Sequence, residues 1–193
     1  MSKDEIRASE IFILNELDWA VVYVYPELME ELEYIKDWDK QRLLSMTDFT
    51  GKTVLDIGAG TGRLTFAAAP LAKYVYASEP VDRLREYMRE KQKRLGIDNV
   101  YVIDGTVESI PFPGNSFDIV MSGHVIGDHY DAEYEEMLRV TKNGGWIIDC
   151  PGENDRKNTK GPSSDMLRLG YVYDHYTSKT GGDVFRYWKQ KSA

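Results

Sequence analysis

Residues 54–65 read VLDIGAGTGRLT and join a short apolar run to a loop with glycines at alternate positions. The apolar run, residues 53–57, has the length of a buried strand, and residues 61–72 have the pattern of a helix. Glycines allow the chain to turn tightly after the strand and let a ligand approach the backbone closely. This segment therefore predicts a strand, a binding loop and a helix in succession.

The spacing of the glycines and one acidic residue restrict the ligand. The dinucleotide-binding pattern is GxGxxG, whereas this loop reads GxGxG and Arg63 takes the place of the last glycine. Asp56 stands two residues before the loop, where a carboxylate would repel a pyrophosphate but would suit an ammonium group or another positive centre. These two features disfavour an enzyme that uses NAD.

Two further acids end the next two predicted strands. Glu79 follows the strand at 74–78, where an acid can accept hydrogen bonds from both hydroxyls of a ribose, and Asp104 follows the strand at 100–103, where it could accept from the exocyclic amine of an adenine. Either acid alone could simply cap a helix or bond to a loop. Together with the glycine loop and Asp56, they predict a nucleoside-binding site.

Strand and helix patterns alternate from residue 51 onward. This alternation predicts a doubly wound α/β fold, with a mostly parallel sheet and helices on both faces, and Gly181-Gly182 predicts a terminal hairpin that adds an antiparallel edge. Residues 4–17 and 27–46 have helical spacing as well. The predicted strands are 53–57, 74–78, 100–103, 117–122, 146–150, 172–177 and 183–189, and the predicted helices after residue 51 are 61–72, 81–95, 131–140 and 163–169.

These segments resemble the class I S-adenosylmethionine-dependent methyltransferases. Residues 54–65 are similar to the first motif of that superfamily, and Glu79 is similar to its ribose-binding acid. Asp104-Gly105-Thr106 with Ile110-Pro111-Phe112 resembles its adenine-contacting segment, and Ser116–Val120 resembles its fourth-strand motif. Leu138–Gly145 resembles its turn before the fifth strand, where Asn143 replaces the usual proline, and Leu169–Tyr171 resembles the start of its closing hairpin. The resemblance covers residues 51–193.

The resemblance implies a seven-stranded sheet of order 3-2-1-4-5-7-6 with the last strand antiparallel. It implies S-adenosylmethionine as cofactor, S-adenosylhomocysteine as product, and methyl transfer to an oxygen or nitrogen nucleophile by in-line displacement, without a metal. It divides the chain into an N-terminal helical extension, residues 1–50, covering the active site, and a Rossmann-like methyltransferase domain, residues 51–193. The implied cofactor-binding residues are Asp56, Gly58, Ala59, Gly60, Gly62, Glu79, Pro80, Asp104, Gly105, Thr106 and Ser122.

The acceptor is expected beyond the fourth strand, which faces the methyl group in this fold. His124 could deprotonate a hydroxyl or an amine, because its intrinsic pKa lies near working pH, or it could only pack. Asp128 and His129 could contact the acceptor or cap the next helix. Trp19 and Tyr23 of the N-terminal helices could form aromatic walls of the acceptor pocket or belong to an amphipathic core.

Charge and composition restrict the partners. The net charge is −8, the first 50 residues carry −7 of it, and no basic patch stands out, so a nucleic-acid partner is disfavoured and a small-molecule substrate preferred. No apolar run is long enough to cross a bilayer, and Cys150 is the single cysteine, which suggests a cytoplasmic protein without a membrane partner. A methyltransferase of protein or RNA and a non-catalytic cofactor-binding protein stay open as alternatives. The oligomeric state is not predicted.

Overall fold

A computed structural model describes residues 2–32, 35–123, 125–152, 161–179 and 181–192. They form one seven-stranded sheet with helices on both sides. The strands are β1 Thr53–Ile57, β2 Tyr74–Ser78, β3 Val100–Ile103, β4 Phe117–Ser122, β5 Thr141–Asp149, β6 Val172–Thr177 and β7 Asp183–Gln190. The helices are α1 Lys3–Val24, α2 Pro26–Glu30, α3 Gln41–Leu44, α4 Arg63–Ala68, α5 Asp82–Leu95, α6 Tyr130–Val140 and α7 Ser164–Arg168.

The sheet has the strand order β3-β2-β1-β4-β5-β7-β6, which confirms the predicted order. Strands β1 to β5 pair in parallel, and β7 runs antiparallel to both β5 and β6. The predicted antiparallel edge and the α/β fold class are therefore confirmed. In such sheets the carboxyl ends of the central strands meet at one edge, which is where ligands bind.

The two central strands are buried on both faces. Val54 to Ile57 of β1 are all buried, as are Ile119 to Ser122 of β4. One core cluster lies on the α4 side of the sheet and includes Leu43 and Phe49 from the N-terminal segment, while a second lies on the α6 side. This double burial explains why the central strands are near-continuous apolar runs, with no polar alternation.

The predicted helix at 27–46 is wrong. Helix α2 ends at Glu30, and α3 does not begin until Gln41. Between them the N–H of Leu32 donates to the carbonyl oxygen of Met29, three residues back, and the Asp39 carboxylate accepts from the N–H of Gln41. Such three-residue bonds tighten the chain into turns, and a local side-chain bond competes with the helix. Apolar spacing alone therefore overestimates helix length here.

Other element bounds differ more modestly. Helix α1 runs on to Val24 instead of ending at residue 17, and it starts with a capping box in which Ser2 and Glu5 bond each other's backbone N–H groups. Helix α4 is shorter than the predicted 61–72, and β5 starts at Thr141 instead of residue 146. Across the described parts of the chain, no helix combines the length and the apolar character needed to cross a membrane.

Candidate functional site

The loop between β1 and α4 has glycines in the left-handed region and comes close to the loop after β4. Gly58 has φ +62° and Gly60 has φ +57°, values that L side chains rarely adopt. A Cβ atom at Gly58 would overlap the side chain of Val125, whereas a Cβ at Gly60 would have only Met29 Sδ nearby, at 3.7 Å. Gly58 is therefore needed for packing as well as backbone geometry, and Gly60 borders open space.

Glu79 ties the glycine loop to the end of β2. Its carboxylate is buried, with Oε2 accepting from the N–H of Gly60 at 2.9 Å and Oε1 accepting from the N–H of Val81 at 2.9 Å. Burial raises the pKa of this carboxyl above its ordinary value, and the two backbone bonds oppose the rise. Each carboxylate oxygen can accept more than one hydrogen bond, so Glu79 keeps acceptor capacity for a ligand.

Asp56 lies inside the sheet, directly below the glycine loop. It is 1% exposed, and the hydroxyl of Thr65 donates to its Oδ2 at 2.6 Å. Burial raises the pKa of Asp56 to about 7, while Thr65 and Arg63 oppose the rise. A buried carboxyl of this kind exists as a mixture of the neutral and the ionised form at neutral pH, so a nearby positive charge would shift it to the ionised form.

Arg63 was noted in the sequence only because it breaks the dinucleotide pattern. Its guanidinium lies 4.4 Å from the centre of the Trp38 ring, and its Nη2 donates to the carbonyl oxygen of Cys150 at 2.9 Å. Burial lowers the pKa of the guanidinium from its ordinary value. Trp38 and Cys150 are 25 and 87 positions away in the chain, so no local pattern could have indicated this contact.

The sequence motifs did not predict a role for Glu133. Its buried carboxylate accepts from the N–H groups of Gly127, Asp128 and His129 at 2.9, 3.3 and 3.1 Å, and so it holds the loop after β4 in place. On the same loop, His129 Nδ1 lies 2.6 Å from Glu108 Oε1. An acid in the first turn of a helix after a polar loop is the signal that could have indicated such a cap.

These groups surround one cleft of about 1080 Å³ where β1, β2, β3 and β4 end. The predicted cofactor-binding residues that line it are Asp56, Gly58, Ala59, Gly60, Glu79, Pro80, Gly105 and Thr106. The predicted acceptor-binding residues that line it are Tyr23, Asp128 and His129. Arg63 and Glu133 line it too, and so do Met29 and Ile35 of the N-terminal segment. Its volume slightly exceeds the roughly 300–1,000 Å³ that is typical of small-molecule and cofactor sites.

Three predicted cofactor-binding residues lie outside the described lining of this cleft. Gly62 is the buried N-cap of α4, with φ +88°. The exposed carboxylate of Asp104 faces Arg85, at 3.2 Å. The hydroxyl of Ser122 is buried and donates to Asp149 at 2.9 Å. The side chains of Asp104 and Ser122 therefore contact neighbouring groups within the protein instead of lining the cleft.

Two other predictions fall on parts that the structure does not describe. His124 lies outside the described residues, and so does the side chain of Trp19, whose backbone belongs to α1. The residues on either side of His124 in the chain, Gly123 and Val125, line the cleft. The predicted roles of His124 and Trp19 stay predictions.

Comparison with known proteins gives consistent matches. A family model described as a methyltransferase domain matches residues 55–149. The demethylmenaquinone methyltransferase of Anoxybacillus flavithermus is 30% identical over 168 residues, which cover 81% of this chain and 68% of the relative. The ubiquinone/menaquinone biosynthesis C-methyltransferase of Shewanella woodyi is 30% identical over 148 residues, covering 74% and 55%. The chain spans about half the length of several curated relatives that it matches.

Among solved structures, a SAM-dependent methyltransferase from Aquifex aeolicus superposes with a TM-score of 0.65 at 21% identity. The superposition covers 85% of this chain and 95% of that one. At this identity the likeness establishes the fold alone. It agrees with the observed strand order.

Proposed function

Because the chain belongs to the class I S-adenosylmethionine-dependent methyltransferases, we propose that its cleft binds S-adenosylmethionine and that the protein transfers the methyl group to a small organic molecule. The observation that carries the proposal is the Glu79 carboxylate, which is buried against the glycine loop at the cleft wall and is bonded to the N–H of Gly60. A fixed carboxylate beside an open glycine loop suits a ribose better than it suits a phosphate.

The residues along the cleft have separate roles in this proposal. Glu79 accepts hydrogen bonds from the ribose hydroxyls, and Gly105 and Thr106 line the space for the adenine. Asp104 contacts Arg85 through Oδ1 alone, so its Oδ2 can accept from the adenine amine if the side chain turns toward the cleft. Asp56 attracts the positively charged end of the cofactor, because an ionised carboxylate buried in the sheet interacts strongly with a nearby cation.

When bound, S-adenosylmethionine supplies an electrophilic methyl group on a sulfonium. The chain then contributes position and exclusion of water, which account for much of the rate enhancement when two reactants are held in line. Tyr23, Met29 and Ile35 line the cleft from the N-terminal side, which supports the proposal that residues 1–50 cover the active site. The proton of the acceptor goes to a base, and His124 is the residue that the sequence predicts for it.

The acceptor atom has two candidates. The sequence predicts an oxygen or a nitrogen nucleophile on a small molecule. The names of the curated relatives refer to demethylmenaquinone and to C-methylation in quinone biosynthesis, which favours a ring carbon as the second candidate. Nuclear magnetic resonance of a product that carries a ¹³C-labelled methyl group distinguishes the two, because methyl groups on oxygen, nitrogen and aromatic carbon have different chemical shifts.

Ligand binding tests the proposed function directly. We expect calorimetry to give micromolar dissociation constants for S-adenosylmethionine and S-adenosylhomocysteine, and far weaker binding of NAD, because Asp56 opposes a pyrophosphate at the loop. Transfer of a labelled methyl group to members of a metabolite panel then separates a methyltransferase from a non-catalytic binding protein. Binding of NAD without a response to either adenosyl ligand would contradict the proposal.

Asp56 predicts a pH dependence of cofactor binding. Burial raises its pKa to about 7, so the carboxyl is mostly neutral at pH 6 and mostly ionised at pH 8, and a cationic ligand selects the ionised form. The dissociation constant of S-adenosylhomocysteine, which carries an ammonium group, should therefore fall about tenfold between these values and level off above them. Calorimetry at a series of pH values measures the effect.

Two controls isolate this effect. Asp56→Asn should weaken binding and flatten the profile, because the amide does not titrate. The ligand 5′-deoxy-5′-methylthioadenosine lacks the ammonium group, so its affinity for the wild-type protein should change little over the same range. Parallel pH profiles for the wild type and Asp56→Asn would assign the titration to another group.

A further inference from the structure

Arg63 lies where β4 and β5 end and lines the proposed active-site cleft. Its Nη2 bonds to the carbonyl oxygen of Cys150, and it would be 2.5 Å from a Cβ atom at Gly123, so the guanidinium is held directly against the chain that follows β4. Its Nη1 is buried and has no hydrogen-bond partner among the residues that the structure describes. A buried, charged donor without an acceptor is unfavourable, so this atom is suited to a ligand oxygen.

Arg63 forms no direct ion pair with any described carboxylate. Within the described parts of the chain, no carboxylate lies within 4.0 Å of its nitrogens. The two carboxyl groups that influence it most, Asp56 and Asp149, accept from the hydroxyls of Thr65 and Ser122. The guanidinium therefore keeps its capacity to pair with an anion.

Trp38 and Arg42 carry further buried donors. Within the part of the chain that the structure describes, neither Nε1 of Trp38, which packs against Arg63, nor Nε of Arg42 has a hydrogen-bond partner. Arg42 lies 3.7 Å from the centre of the Tyr176 ring, and Arg186 lies 5.9 Å from the same centre. Arg186 is paired with Asp174. The donors of Arg63 and Trp38 that lack a described acceptor therefore favour a ligand that brings oxygen acceptors.

We propose that Arg63 binds an anionic oxygen of the methyl acceptor, and that the acceptor is therefore a small organic acid. This inference rests on the proposed function and specifies its substrate class. Both a carboxylate and an ionised ring hydroxyl can accept a charge-assisted hydrogen bond from Nη1. Other charged residues of the cleft, among them Glu79, Glu108 and Glu133, are acidic and repel an anion, so Arg63 determines which end of the cleft the acid occupies.

The test compares matched acid and neutral probes by calorimetry at pH 7.5, with the protein saturated in S-adenosylhomocysteine. One pair is 2-naphthoate and 2-naphthamide, and the other is 2-hydroxy-1,4-naphthoquinone, ionised at this pH, and its methyl ether. We expect at least one acid to bind the wild type about tenfold more tightly than its neutral partner, which is the size of a hydrogen bond to a charged group. The pair that shows the preference identifies the carboxylate or the ring oxygen.

Variants assign the preference to Arg63. Arg63→Met should reduce it to less than about threefold, while Arg63→Lys, which keeps the charge, should retain part of it. Arg168→Met removes the same charge from a residue outside the cleft that pairs with Asp131, and it should retain the full preference. Circular dichroism and thermal unfolding of each variant establish whether it folds. If Arg63→Met does not fold, a reduced preference in Arg63→Lys still tests the role of the guanidinium.

The outcomes separate this inference from the proposed function. Binding of S-adenosylhomocysteine without any preference for the acids would overturn the inference and leave the proposed function intact. Acid binding through Arg63 without binding of S-adenosylhomocysteine would contradict the proposed function, and the bound acid would then not be a methyl acceptor. If Arg63→Met weakens S-adenosylhomocysteine but not 5′-deoxy-5′-methylthioadenosine, then Arg63 holds the carboxylate of the cofactor, and the inference is wrong.

Discussion

Replacing Gly60 by valine is expected to weaken the binding of S-adenosylhomocysteine at least about 100-fold while the protein still folds. A Cβ atom at Gly60 would have only Met29 Sδ within 4 Å, at 3.7 Å, so the backbone has room for it. The two methyl groups would extend into the cleft, where the proposed ligand lies against the loop. Calorimetry measures the binding, and circular dichroism and thermal unfolding measure the folded state.

The chain offers a matched control for the backbone strain. Gly96 closes α5 with φ +64°, close to the φ +57° of Gly60, and a Cβ atom there would meet nothing within 4 Å. Valine at either position therefore costs about 1–2 kcal/mol of unfolding free energy for its left-handed backbone. Only Gly60→Val should lose the ligand. Equal binding by the two variants would mean that the loop does not border the cofactor. If Gly60→Val fails to fold while Gly96→Val folds, Gly60 is needed for the backbone conformation of the loop.

The sequence predicts the fold here because its signals are local and consistent. Residues 53–57 form one short apolar run followed at once by glycines, and such a segment has few alternatives to a buried parallel strand before a tight loop. The acids that end the neighbouring strands are then brought to one edge by the parallel sheet itself. This is why Glu79 and the glycine loop, 19 residues apart, could be placed together in advance.

The rest depends on contacts that no local pattern encodes. The apolar spacing over residues 27–46 fits a helix, yet side chains such as Asp39 bond to the backbone and produce turns. The carboxylate of Asp104 faces Arg85, and the hydroxyl of Ser122 bonds to Asp149, so both lie outside the described cleft lining. Side-chain orientations such as these depend on neighbours that are distant in the chain. The surroundings of Arg63 were unpredictable for the same reason.

Glu79→Gln is expected to weaken the binding of S-adenosylhomocysteine about 10- to 100-fold, because hydrogen bonds to a charged group are stronger than those between neutral groups. The amide keeps the shape of the side chain and one acceptor oxygen, but its NH₂ group cannot accept from the ribose or from the N–H groups of Gly60 and Val81. Calorimetry with the purified variant measures the loss. Glu90→Gln, an exposed position on α5, changes the same charge away from the cleft and should bind as the wild type does.

A second ligand decides whether Glu79 acts on the ribose or only holds the loop. The 3′-deoxy analogue of S-adenosylhomocysteine lacks one of the two hydroxyls that Glu79 is proposed to accept from. If Glu79 bonds to the ribose, the wild type should prefer S-adenosylhomocysteine over this analogue, and Glu79→Gln should lose most of that preference, because the two changes remove the same interaction. If Glu79 only bonds to the N–H groups of Gly60 and Val81, the substitution should weaken the binding of both ligands by the same factor and leave the preference unchanged. That result would contradict the proposed ribose-binding role of Glu79.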